Sequence, residues 1–213
     1  MAILTQVLEN WLNFNMTTTT QLKYFDELKR TMEWLATQPK VMFVGQTVAG
    51  PGTFMFQTLR DCPRDRTLEM PINESFQMQF TIGMALAGYI PVSVYPRQNF
   101  LLLATGDMAN VLDKMPAISA RQWPMKVIIR VATGPDAPVH PGHQHIGNYA
   151  QAFRHLFEWI EVVELNSAQD IFPAYKNALE RTDGKSTLII EHGNFYNEEY
   201  YAKRMITSQT KHS

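Results

Sequence analysis

Cysteine is nearly missing from this sequence: Cys62 is the only one in 213 residues. No disulfide can form within the chain, which fits a reducing, cytoplasmic setting. Also missing is any apolar run near the roughly eighteen residues of a membrane-spanning helix. Residues 1–15 have no positively charged start of the kind a secretory signal carries. Neither sign of charge is in excess: 19 Lys and Arg stand against 20 Asp and Glu, for a net charge of −1. The basic residues are scattered without a stripe, so neither nucleic acid nor membrane is an expected partner. No internal repeat, nucleophile elbow, Rossmann or Walker glycine pattern, HExxH or CxxC occurs. Those absences remove the commonest nucleotide-binding, hydrolase and zinc readings.

What is present is a regular alternation of short apolar runs and helical periodicity. Thr17–Thr20 offer N-caps for a first helix reaching Gln38, with Leu22, Phe25, Leu28, Met32 and Leu35 on one face. Val41-Met42-Phe43-Val44-Gly45 reads as a strand buried on both faces. A loop over 46–52, a short helix over Thr53–Leu59 and a short strand over Thr67–Met70 follow. Next come a strand at Tyr89–Tyr95, a helix at Phe100–Met115, a strand at Lys126–Val131 and a Gly/Pro/His loop from Thr133 to Gly147. The pattern closes with helix Asn148–Phe157, strand Glu161–Leu165, helix Ala168–Arg181 capped by Ser167, and strand Ser186–Glu191. Strands alternating with helices predict an α/β three-layer sandwich with a mainly parallel sheet. Ligands of such sheets sit beyond the carboxyl ends of the strands. Gln46, Glu74, Arg97 and the His loop all follow strands, so they can share one rim.

The chain is organised around Leu68-Glu69-Met70-Pro71-Ile72-Asn73-Glu74-Ser75. Pro71 disfavours helix before it, and Asn73 is a good N-cap. Phe76, Phe80, Met84 and Gly88 then recur at helical spacing, with Gln77 and Gln79 the only strongly polar side chains among them. The helix is therefore expected to be buried on most sides. Glu74 at its mouth has two readings: a carboxylate favoured by the helix dipole, or an acid–base group tuned by an apolar site.

Three other groups invite chemistry. His140, His143 and His145 form H-x-x-H-x-H, with Asp136 nearby as a further ligand; zinc or a proton donor and acceptor are the alternatives. The second is adopted, and no metal site is assigned. Gly106-Asp107 with Asn110 resembles a magnesium signature but falls inside an expected helix. Cys62, near Arg60, Arg64 and Arg66, is read as a neutral thiol.

Four stretches in this order resemble the pyrimidine-binding domain of thiamine-diphosphate enzymes, as found in the beta subunits of pyruvate-type and branched-chain 2-oxoacid dehydrogenases and in transketolase. They are Pro39–Gln46; Met70–Ser75 with Gly83-Met84-Ala85 and Gly88–Val92; Val127–Arg130 with Gln144-His145 and His155; and Glu161–Val163 through Ile189–Glu191. The likeness covers residues 20–197, which divides the chain into an extension (1–16), a pyrimidine-binding domain (17–197) and a tail (198–213). It implies that Glu74 hydrogen-bonds the cofactor's aminopyrimidine and promotes its imino tautomer, and that His145 shuttles protons beside the substrate. Gln46 stands where the family usually has glutamate, and Arg97 about where many relatives have phenylalanine. Tyr95 or Phe100 would then supply the aromatic contact, or the Arg97 guanidinium would stack. The likeness takes in no diphosphate-binding half. It therefore implies thiamine diphosphate shared with an alpha-type partner subunit that holds magnesium, in a homo- or hetero-oligomer. The implied activity is that of an oxidoreductase of the 2-oxoacid dehydrogenase type or of a transketolase. The alternative is a catalytically silent relative that serves as an assembly or regulatory module.

Overall fold

The computed structural model describes residues 22–137 and 140–197. The capping threonines 17–20, the extension 1–16 and the tail 198–213 lie outside the described residues. In chain order the elements are α1 (Tyr24–Ala36), β1 (Val41–Gly45), α2 (Phe54–Leu59), β2 (Thr67–Glu69), α3 (Glu74–Leu86) and β3 (Ile90–Tyr95). Then follow α4 (Gln98–Leu101), α5 (Thr105–Asp107), α6 (Met115–Ile118), β4 (Ile128–Thr133), α7 (Ala150–Leu156), β5 (Ile160–Leu165), α8 (Ala168–Glu180) and β6 (Ser186–His192).

The six strands form one sheet in the order β2-β1-β3-β4-β6-β5, and every pairing is parallel. Right-handed crossovers place steps in one direction along a sheet on one face and steps in the other direction on the opposite face. Thus α1, α2 and α8 cover the face that carries Phe43, Val92, Val94 and Ile189. Helices α3, α4 and α7 cover the face that carries Tyr95, Ile129, Val131 and Leu188. Both faces are buried, which is why the strands read as continuous apolar runs rather than alternating ones. The chain leaves β1 toward β2 over one face and leaves β3 toward β4 over the other. Their carboxyl ends therefore part, and a crevice opens between them.

Two sequence expectations need correction. Helix α3 is buried on one face only. Glu74, Gln77, Met78, Thr81, Ile82 and Ala85 point inward, while Phe76 (46% exposed), Phe80 and Leu86 face outward beside Ile72. The inward polar groups find partners: Gln77 Nε2 donates to Ser93 Oγ and the Val94 carbonyl, and Thr81 Oγ1 lies 2.9 Å from Ser93 Oγ. These hydrogen bonds let Gln77 and Thr81 turn to the sheet beside Met78, Ile82 and Ala85, while Phe76, Phe80 and Leu86 turn away. The expected helix over Phe100–Met115 is instead α4, a 3-10 turn (Leu102–Ala104), α5 and a π turn (Met108–Leu112). Gly106 weakens a helix here by about 1 kcal/mol relative to alanine. Outside partners then set the winding. The Asp107 carboxylate accepts from Ser75 Oγ (2.6 Å) and Gln79 Nε2 (3.0 Å), and Asp113 accepts from the backbone N–H groups of Glu158 and Trp159.

The remaining differences are at element ends. Helix α1 starts at Tyr24 after Lys23, which makes no capping side-chain bond. Thr53 and Asn73 do cap α2 and α3, each accepting from the N–H of Phe56 and Phe76 respectively. No helix among the described residues is long and apolar enough to cross a membrane.

Candidate active site

The crevice between β1 and β3 is built from the strand ends outward. Gly45 closes β1, and a Cβ there would lie 2.3 Å from the Val94 carbonyl oxygen, so the two strands approach only because that atom is missing. Thr47 follows with a left-handed φ of 56°. The loop holds this conformation because the Glu69 carboxylate, at the end of β2, accepts the backbone N–H groups of Thr47 (2.5 Å), Val48 (2.9 Å) and Ala49 (2.8 Å). Three charge-assisted bonds to one loop fix where Gln46 points. Sequence reasoning gave Glu69 no role. The available signal was a carboxylate at a strand end facing a Thr- and Gly-bearing loop on the neighbouring strand.

Gln46 and Glu74 come together as expected. Gln46 Nε2 donates to Glu74 Oε1 at 3.3 Å, and both side chains are buried, Glu74 being only 7% exposed. No arginine or lysine pairs with Glu74 among the described residues. Its second carboxylate oxygen accepts nothing from them. Tyr95 lies beneath, donating from its hydroxyl to the main-chain carbonyl of Glu74 at 3.2 Å. Burial, reinforced by the nearby Glu74 charge, raises the Tyr95 hydroxyl above its usual value and keeps it a donor.

The turn after β3 positions the other side of the crevice. Gln98 is buried; it accepts from Tyr149 N–H at 2.7 Å and donates to Thr133 and Asn148, tying α4 to the His loop. On that anchor, Asn99 Oδ1 lies 3.0 Å from His145 Nδ1, and the Phe100 ring packs 5.5 Å from the His145 ring. Phe100 and His145 thus form a pair, with Asn99 holding one ring nitrogen of the histidine. Asn99 is a second positioning residue that the sequence did not reveal. His140 and His143 meet edge to face at 5.2 Å, and His140 Nδ1 accepts from Gly142 N–H. No group of three His, Cys, Asp or Glu residues among those described is arranged to hold a metal ion. Burial pushes the Cys62 thiol up to about 11, so it stays protonated at neutral pH.

The Arg97 guanidinium donates to the Gly134 carbonyl at 3.0 Å and lines a recess of about 750 Å³ on the α2 side of the crevice. Gln46, Glu74, Tyr95, Phe100 and His145 do not line that recess.

A doubly covered parallel sheet, with a buried carboxylate at the parting of two strand ends, defines an α/β domain with a ligand crevice at its carboxyl edge. Residues 25–198 match the family described as transketolase, pyrimidine binding domain, and the chain belongs to that family. Membership implies dependence on thiamine diphosphate. Two solved structures share the fold. One, described as a split gene transketolase, inactive beta4 tetramer, has a TM-score of 0.60 at 16% identity, over 78% of this chain and 50% of that one. The other, a transketolase from Campylobacter jejuni, has a TM-score of 0.62 at 13% identity, over 87% of this chain and 29% of that one. This chain therefore spans half or less of the length of these neighbours. No curated protein matches the sequence.

Proposed function

We propose that the chain is the pyrimidine-binding subunit of a split thiamine-diphosphate enzyme, of transketolase or 2-oxoacid dehydrogenase type, acting on a ketose or 2-keto acid. The observation that carries this reading is Glu74, a buried carboxylate that receives one long hydrogen bond and keeps an oxygen unoccupied by protein. That oxygen is open to a donor from a ligand. An aminopyrimidine nitrogen and its proton fit this acceptor, with Gln46 holding the other oxygen. Low polarity around Glu74 strengthens the bond and lets the carboxyl group share a proton. When bound, thiamine diphosphate supplies a nucleophilic carbon and an electron sink. His145, oriented by Asn99 and packed on Phe100, holds or moves a proton near the substrate.

The diphosphate and magnesium are assigned to an alpha-type partner subunit. The split-gene neighbour, whose own beta4 tetramer is described as inactive, supports that division of labour. Helix α3 supports assembly too: its outer face carries Phe76, Phe80 and Leu86, and no charged residue occurs from Ser75 to Pro96. A second reading, a silent assembly module, is favoured by Gln46 in place of the family's glutamate.

The test is exchange of the cofactor's thiazolium proton, followed by NMR, with partner chain, magnesium and thiamine diphosphate present. Glu74→Gln should slow exchange by about a hundredfold or more at equal cofactor occupancy. Equal rates in the two proteins sink the catalytic role. A wild type that binds no cofactor with its partner establishes the silent module instead.

A further inference from the structure

His192 ends β6 with a ring nitrogen that the fold leaves unused. Its Nε2 is buried and has no hydrogen-bond partner among the described residues. Facing it is Glu164 of β5, whose Oε2 lies 3.7 Å away, close enough for an ion pair but too far for a hydrogen bond. The other groups around His192 are the Phe195 ring at 5.5 Å, the Tyr24 hydroxyl, which accepts the His192 N–H at 3.1 Å, and Arg154 of α7 behind Glu164. Thr133, its neighbour across the sheet on β4, is uncharged. Glu191, the preceding residue, points to the opposite face and is held there by Arg130. Burial lowers the His192 pKa, so the ring is neutral at neutral pH.

Glu164 is already engaged. Its Oε1 accepts from Arg154 Nη2 at 2.7 Å, and its Oε2 accepts from Asn148 Nδ2 at 2.9 Å. Asn148 Oδ1 accepts in turn from Gln98 Nε2 at 3.3 Å and from the Ala150 N–H at 2.9 Å. Gln98 is buried and accepts the Tyr149 N–H at 2.7 Å. A row of hydrogen bonds therefore runs from Glu164 to the joint between α4 and the His loop. A neutral His192 leaves that row alone. A protonated one offers Glu164 a charged donor, and such bonds close to about 2.7–2.9 Å. The oxygen that must move is the one that Asn148 uses.

We propose that His192 is a proton-operated latch: its protonation draws Glu164 Oε2 away from Asn148 and loosens the joint between α4 and the His loop. The latch holds at neutral pH and opens as the pH falls through the His192 value. The joint carries Asn99, Phe100 and His145, so the latch regulates the proposed active site; this last consequence rests on the reading of His145 given above.

The experiment is a pH titration of the full chain by NMR, from about pH 7.5 to about pH 5. It uses neither cofactor nor partner chain, so its outcome is separate from the role of Glu74. The Asn148 side-chain amide should shift with the same midpoint as the His192 ring. Hydrogen exchange at the Tyr149 and Ala150 amides should rise by about fivefold or more below that midpoint. Glu164→Gln should leave His192 titrating and remove its midpoint from Asn148. His192→Asn should remove that midpoint from Asn148 and abolish the rise in exchange. Either variant alone reads the coupling if the other does not fold. The proposal is overturned if Asn148 does not follow His192 in the wild type, or if the midpoint persists at Asn148 in a folded variant. It is equally overturned if amides throughout the sheet gain exchange together, since that is global unfolding.

Discussion

Glu191 and Glu74 are both buried carboxylates near the carboxyl edge of the sheet, and they are treated in opposite ways. Glu191, on β6, accepts from Arg130 Nε (2.6 Å) and Nη2 (3.0 Å), Tyr175 (2.8 Å) and Tyr196 (2.6 Å). Arg130 and Glu191 are both wholly buried. Glu74, on the opposite face, accepts one bond of 3.3 Å from Gln46. The first carboxylate is saturated by its own chain, so it has nothing left with which to hold a ligand. The second is held in place and left with spare capacity. Burial alone does not mark a functional acid; what decides is how many of its lone pairs the fold has already used.

The contrast is broken most forcefully at Glu191. Glu191→Ala leaves Arg130 and two tyrosine hydroxyls without their acceptor, and should destabilise the chain by about 3–5 kcal/mol in urea unfolding. Glu74→Gln, under the same conditions, should change stability by about 1 kcal/mol or less. Similar losses at both sites would erase the distinction. A middle case is Glu69, whose carboxylate is exposed but holds three loop amides. Glu69→Ala should cost about 1–2 kcal/mol and raise amide hydrogen exchange at Thr47, Val48 and Ala49. Unchanged exchange there would show that the loop keeps its shape without Glu69.

The smallest effect is a pH dependence at His192. Burial lowers its pKa below the usual value, against the opposing pull of Glu164 at 3.7 Å. The unfolded chain then takes up the proton first as the pH falls below about 6.5. Stability is full above that pH and declines as the pH drops through the folded value. His192→Asn should flatten the stability profile over that window, measured by urea midpoints from pH 7 to pH 5. An unaltered slope would assign the dependence to other groups.

Much of this was legible in the sequence, for physical reasons that differ by element. The strands showed themselves because a sheet covered on both faces forces continuous apolar runs such as Val41–Val44 and Val127–Ile129. The mouth of α3 was readable from Pro71 and Asn73, whose effects are local. Which way α3 faces was not: Gln77 and Thr81 turn inward only because Ser93 waits on a strand more than ten residues on. The break-up of residues 100–115 depends on Asp107 and Asp113 reaching other elements. The bond from Arg97 to the Gly134 carbonyl joins the turn after β3 to the loop after β4, a contact that only the fold makes. The Arg130–Glu191 pair was hidden for the same reason, since it exists only once β6 lies beside β4.

That placement of β6 has a consequence for synthesis on the ribosome. This strand, the last among the described residues, slots between β4 and β5, which do not pair with each other in the finished sheet. Until residues 186–196 emerge, Arg130 has no counter-ion, and the edges of β4 and β5 stay open. Tyr24, the first residue of α1, likewise waits for the backbone of Leu165 and His192. The nascent chain therefore carries an unsealed sheet, with Arg130 unpaired, until β6 arrives. Its exposure to aggregation and to chaperones is concentrated in that interval.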